Sequence, residues 1–205
     1  PSAGEQLSYN GSQFVILFFI IQVGTQAVTT RVYTQNIMMF VMLSCIAIAQ
    51  GTQILIAHYF GAREFDSVYK RCLKSLKISI LISFMMACIV ALFSESLIGI
   101  FTENKEIIAE AKILLYMTIL LEPGRAFNVV IINSLRAVGD VQFPLYMAII
   151  SMWSVAVLLG YVFGIHLGLG LVGFWIGFIL DEWIRGIAML WRWRQRKWLE
   201  RAMIQ

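Results

Sequence analysis

The sequence predicts an all-α integral membrane protein with six transmembrane helices. Three observations lead there. Of 205 residues, 60% are hydrophobic and 14% are charged, where soluble domains carry about 45–50% and about 25%. Both departures run toward what a lipid solvent demands. The apolar residues also collect in six long runs, and about 20 helical residues at about 1.5 Å each cross a hydrocarbon core of about 30 Å. Finally, the runs do not alternate in polarity and exceed the about 9–11 residues of a membrane barrel strand, which excludes strands as the spanning element. The same composition excludes disorder and an ordinary soluble enzyme.

The helices are expected at residues 4–30, 33–60, 78–101, 107–135, 143–166 and 169–191. The first is strongest over 14–23. Between the second and third lies GAREFDSVYKRCLKSLK, residues 61–77. It is either an interfacial helix or the start of the third span carrying a basic face. The segment RAVGDVQFP, 136–144, reads as a turn at Gly139 with Pro144 opening the next helix. HLGLGLVG, 166–173, reads as a tight glycine hairpin. No linker or soluble domain interrupts the run, so residues 1–205 are expected to form a single six-helix lobe ending in a basic aromatic tail, 192–205.

Charge placement sets the expected orientation. Arg63, Lys70, Arg71, Lys74, Lys77 and Arg136 fall on one set of connections, and the tail adds Arg192, Arg194, Arg196, Lys197 and Arg201. The opposite set holds Arg31, Lys105 and Lys112. Positive charge collects on the cytoplasmic side, so six spans place both ends in the cytoplasm. Trp191, Trp193 and Trp198 are expected at headgroup level, with arginines reaching lipid phosphates. The net charge of +4 is therefore an orientation signal. No nucleic-acid partner is expected.

Ionisable groups inside a bilayer cost about 2.5–3.5 kcal/mol each on insertion scales, and they mark functional sites by default. The fourth segment carries Glu122 and Arg125, three apart on one helix face, beside Pro123. Pro123 removes a backbone donor and frees a carbonyl one turn earlier. A carboxylate beside a kink suits an ion or proton site; the alternative is a self-neutralised packing pair. Asn128 follows one turn later. In the sixth segment, Asp181, Glu182 and Arg185 are i,i+3 and i,i+4 partners. They form either an internal gate or an interfacial cluster. In the first segment, Glu5, Ser8 and Ser12 share a stripe, with Asn10 and Gln13 nearby. These residues either line a water-filled cavity or mark the polar beginning of the helix. The patch Gln50–Gly51–Thr52–Gln53 reads first as close helix packing, and His58 as a boundary residue.

Catalytic signatures are absent. No GxxxxGK[ST], HExxH or GxSxG occurs. Asp140, in its turn, does not read as an intramembrane aspartyl protease site. Cys45, Cys72 and Cys88 have no metal or disulfide spacing. An enzyme is not expected, nor is a cofactor or metal, and ion gradients remain as the energy source. The chain starts at Pro1 with no visible signal peptide, so the expectation is that either its true start was removed or it is part of a longer polypeptide.

Four stretches carry a family resemblance. PSAGEQLSYN, GTQILIAHYFGA with its basic sequel, INSLRAVGDVQFPLYM and LGLGLVGFWIGFILDEWIRG resemble the helix ends and turns of one lobe of the multidrug and toxic compound extrusion (MATE) family. The resemblance implies a twelve-helix transporter of two six-helix lobes, of which this chain is the second. It implies a cell-membrane antiporter exporting small organic, drug-like compounds in exchange for protons or sodium. The partner would be the other lobe, in the same polypeptide or, less expectedly, in a homodimer. Relatives often carry an acidic residue inside the first helix, where this chain has Tyr9 and Asn10. On the fourth helix the nearest acid is Glu122. Ion coupling is therefore expected at Glu122, Arg125 and Asp181. The substrate cavity or gate is expected at Glu5, Asn10, Gln13, Asn128, Glu182 and Arg185. A lipid-linked sugar flippase of the same superfamily and a non-transporting membrane fragment are the alternatives.

Overall fold

The structure, a computed structural model, describes residues 2–202. Pro1 and residues 203–205 of the tail lie outside the described residues, and so does the side chain of Arg201. The order is α1 (Ser2–Val23), α2 (Thr25–Gly61), α3 (Phe65–Leu92), α4 (Ser94–Gly99), α5 (Lys105–Ala137), α6 (Gln142–His166), α7 (Leu171–Arg194) and α8 (Trp198–Ala202). Helices α2, α3, α5 and α6 are long and apolar enough to cross a membrane. The other two long helices, α1 and α7, fall short of that because of their own polar residues. Helix α1 carries Glu5, Asn10 and Gln13, and α7 carries Asp181, Glu182 and Arg185.

Several helix limits differ from the expected ones. The first break falls at Gly24, whose φ of 147° suits glycine, and not at residues 30–33. The Thr-Thr-Arg sequence there stays helical because its polarity is absorbed locally. Thr29, Thr30 and Thr34 bond back to carbonyls one turn earlier, and Arg31 donates to Gln13. Helix α3 begins at Phe65, so the basic stretch is the start of the third helix. Lys70, Lys74 and Lys77 are exposed on its outer face, while Val68, Cys72, Ser75 and Leu76 are buried. The helix is used up by Leu92, and the chain turns through the short α4.

Helix α5 is the centre of the bundle and packs against α2, α3 and α7. Helix α6 joins through α7 by close backbone approach. A Cβ at Gly177 would sit 3.0 Å from the Gly160 nitrogen, and one at Gly173 would collide with the Gly164 backbone. Glycines four apart on each helix thus form the small-residue seam that lets membrane helices touch. Helix α6 also contains two π-helical stretches, Met152–Val157 and Val162–His166.

The apolar interior is split in two. One core gathers Ile16, Leu114, Leu121, Phe174 and Trp175. The other gathers Ile56, Phe127, Ile131, Met189 and Trp193. Between them, on α5 and α7, lie the charged residues. The tail closes the second core. Trp193 and Trp198 are buried and stack on each other with ring centroids 5.2 Å apart. Arg196 lies over Tyr69 at 4.4 Å, and Arg192 pairs with Asp140 at 2.7 Å. This corrects the expectation of headgroup-level tryptophans for those two residues. Aromatic partners on α3 bury them, and only Trp191 remains exposed.

Candidate functional site

Each charged pair expected within a helix forms, and the pairs join into one layer. Arg125 Nη1 donates to Glu122 Oε1 at 2.8 Å. Arg125 Nε lies 3.7 Å from Glu182 Oε1 on α7. Arg185 Nη2 lies 2.7 Å from Asp181 Oδ2 and 3.1 Å from Glu182 Oε1. Asn128 Nδ2 donates to Glu182 Oε2 at 2.9 Å, and Ser151 of α6 donates to Asp181 Oδ1. Three carboxylates therefore face two guanidiniums, with one negative charge in excess when all are ionised. The layer lies about halfway along α5.

The local backbone makes room for this layer. Pro123 interrupts the hydrogen-bond ladder of α5, and the Trp183 indole donates to the nearby Leu120 carbonyl at 2.9 Å. Gly124 permits that approach, since a Cβ there would lie 2.7 Å from the indole nitrogen. Opposite, the π-helical stretch of α6 begins beside Ser151, the partner of Asp181. Such widened turns often occur at functional sites.

A cavity of about 610 Å³ opens on the layer. Arg125, Asn128, Asp181, Glu182 and Arg185 line it, and Glu5 and Gln13 reach it from α1. Glu122 does not line it: it is 0% exposed and sits beneath Arg125. Asn10 is exposed and does not line the cavity either; it accepts from Gln6 on the same helix. Three residues, about 60° of net rotation round the helix, separate it from Gln13, and of the two only Gln13 lines the cavity. Of the polar patch on α2, Thr52 bonds to its own helix, and a Cβ added at Gly51 would meet nothing within 4 Å, so no neighbouring helix requires a glycine there. His58 is exposed.

Other lining residues were not picked out from sequence. Gln35, Asn36, Met38, Met39 and Met42 give α2 a cavity face. The two amides inside an apolar run were the available signal. Arg136, counted above only for orientation, also lines the cavity and donates to both oxygens of Glu5. The pair borders a second cavity of about 330 Å³ as well. Among the described residues no cluster of His, Cys, Asp and Glu is arranged to hold a metal. The arrangement can do two things chemically. It can offer a polar, charge-matched wall to a ligand, and it can hold one extra proton or monovalent cation.

Comparison with known proteins gives a consistent picture. The family model MatE matches residues 1–162. The uncharacterized transporter YisQ of Bacillus subtilis is 58% identical over 203 residues, covering 99% of this chain and 45% of that protein. The probable multidrug resistance protein NorM of Thermotoga maritima is 24% identical over 204 residues, covering 100% of this chain and 44% of its own length. Among solved structures, a crystal structure of MATE in the straight conformation superimposes with a TM-score of 0.88 at 21% identity, over 100% of this chain and 46% of that one. A MOP superfamily transporter from Pyrococcus furiosus, described as having a binding pocket of reverse polarity, gives 0.87 at 21% identity, over 96% and 44%. At such identity the structural likeness speaks for the fold. The chain spans about half the length of the relatives it matches.

Proposed function

The chain belongs to the multidrug and toxic compound extrusion family, and from that membership we propose that it forms one lobe of a cation-coupled antiporter exporting organic, drug-like compounds across the cell membrane. One observation carries the reading: the charge layer between the two apolar cores holds three carboxylates against two arginines. An unmatched buried charge is costly, and one bound proton or monovalent cation cancels it. Glu122 is the group placed to take that charge. It is wholly buried, Arg125 holds one of its oxygens, and the other has no partner among the described residues. Arg125 then links the state of Glu122 to the cavity wall. Arg125 and Glu182 belong to different helices, so loading or unloading Glu122 changes the tie between α5 and α7.

A second lobe of similar build would supply the facing wall. The end of the bundle that carries Arg63, Lys70, Lys74 and Arg192 is the proposed cytoplasmic end. The flippase alternative needs arginines available to a lipid pyrophosphate. Here Arg125 is held by Glu122 and Glu182, and Arg185 by Asp181 and Glu182, which favours the exporter. The named relatives are transporters, and the site reading requires no bond-breaking chemistry.

The test is efflux of a lipophilic cationic dye from everted vesicles under a sodium or a proton gradient. Gradient-driven efflux that Glu122→Gln abolishes is the expected result. Full gradient-driven efflux in that variant would sink the assignment of Glu122. No dye movement under either gradient would shift the reading to a lipid-linked sugar.

A further inference from the structure

Four arginines of the bundle, Arg125, Arg136, Arg185 and Arg192, are half-buried, and each is held by a carboxylate. Arg31 of α2 differs on both counts. It is only 6% exposed. Among the described residues its one hydrogen bond runs from Nη2 to Gln13 Oε1 at 2.8 Å, and no carboxylate lies within ion-pair distance of it. Its Nε is buried without a partner. The charge layer is too far along the helix to serve it. Met42, which touches Arg125, lies eleven residues beyond Arg31 on α2, about 16 Å of helix. A buried cation answered only by a neutral amide lacks the counter-charge that such groups require.

The amide that answers it lines the large cavity. An arginine can only donate, so the contact fixes the Gln13 carboxamide with its oxygen toward Arg31. The other end, the Nε2 amino group, has no acceptor among the described residues. Gln13 thus offers the cavity hydrogen-bond donors, with a positive charge directly behind them. Asn128 on the opposite wall is set the other way: its amino group donates to Glu182, and its oxygen has no partner. The acid on the same helix as Gln13, Glu5, lies eight residues earlier, about 12 Å of helix, and Arg136 holds both of its oxygens. Tyr9 and Gln35, each one turn from a member of the pair, complete this end of the cavity with neutral polar groups.

We propose that Gln13, backed by Arg31, binds a small monovalent anionic group at the α1–α2 end of the cavity, either the carboxylate of a transported compound or a chloride ion. The Gln13 amino group donates to the anion, and Arg31 supplies the field that favours its charge. One charge behind one amide suits a single negative charge and not a pyrophosphate, so the site accords with an exporter of small organic compounds. The inference rests on the reading of this cavity as the place of transport and does not depend on Glu122.

The experiment is calorimetric titration of the whole protein in detergent, in gluconate buffer without chloride, with sodium benzoate, sodium chloride and the neutral benzamide as probes. Benzoate or chloride binding, with no heat from benzamide, is expected. Benzoate alone assigns the site to a substrate carboxylate, and chloride that benzoate displaces assigns it to the ion; both support the subsite. Arg31→Gln and Gln13→Ala are expected to weaken binding at least tenfold, as loss of a hydrogen bond to a charged group does. Arg31→Lys should retain most of it. Gln13→Glu guards against a folding defect: its carboxylate would pair with Arg31, raise the unfolding temperature and abolish anion binding. No binding of either anion, equal binding of benzamide and benzoate, or full anion affinity in Gln13→Glu overturns the subsite. Dye efflux measured on the same protein separates the two readings. Efflux without anion binding removes the subsite and leaves the exporter, whereas anion binding without efflux keeps the subsite and removes the exporter.

Discussion

Arg136 at the end of α5 grips Glu5 at the start of α1 through both carboxylate oxygens, at 2.8 and 2.6 Å. The two residues are 131 positions apart in sequence, and together they border both cavities. The contact fastens α1, whose Ser8 also accepts from the Trp153 indole of α6 at 3.0 Å, to the central helix. In a double-mutant cycle of Glu5→Gln and Arg136→Gln, thermal unfolding is expected to give a coupling of about 0.5–1 kcal/mol, because the pair is partly exposed. Additive effects would mean that the pair does not hold α1.

Arg125 serves two carboxylates, so its loss should cost more than the loss of either one. Arg125→Gln leaves buried negative charge uncompensated, at a cost of about 3–5 kcal/mol. Adding Glu122→Gln to that variant removes the orphaned charge and should restore part of the stability. Thermal unfolding in detergent compares the three proteins. A double variant less stable than Arg125→Gln alone would contradict the proposed charge balance.

Helix glycines in this chain are not equivalent. At Gly173 a Cβ would meet the Gly164 backbone, so Gly173→Ala should destabilise by about 1–3 kcal/mol through overpacking. Gly51 has open space around its missing Cβ, and Gly51→Ala should be neutral or stabilising by about 0.5–1 kcal/mol. Equal unfolding temperatures for the two variants would refute the close approach of α6 and α7.

Glu122 with Arg125, and Asp181 and Glu182 with Arg185, were legible as separate pairs because helix periodicity alone sets neighbours three and four apart. Their union into one layer was not legible. It depends on the crossing of α5 and α7, which brings Arg125 to Glu182 across 57 residues of sequence. The helix limits show a similar division. Thr29, Thr30 and Arg31 look like a break, yet side-chain bonds to the same helix and to Gln13 keep α2 continuous. The tail tryptophans look interfacial by composition, but stacking with each other and with Tyr69 buries two of them.

The solvent, the class of element and the helices that bear charge follow from composition and patterning along the chain. Apolar run length and the cost of bare backbone in lipid leave a helical bundle as the outcome, and ionisable residues inside such runs stand out against that cost. Which charges meet and which residues face the cavity came from the packing of the helices. Those outcomes depend on the rotation and crossing of packed helices. Gln13 lines the cavity while Asn10, three residues earlier and about 60° round the helix, does not, and no local pattern in the chain encodes that difference.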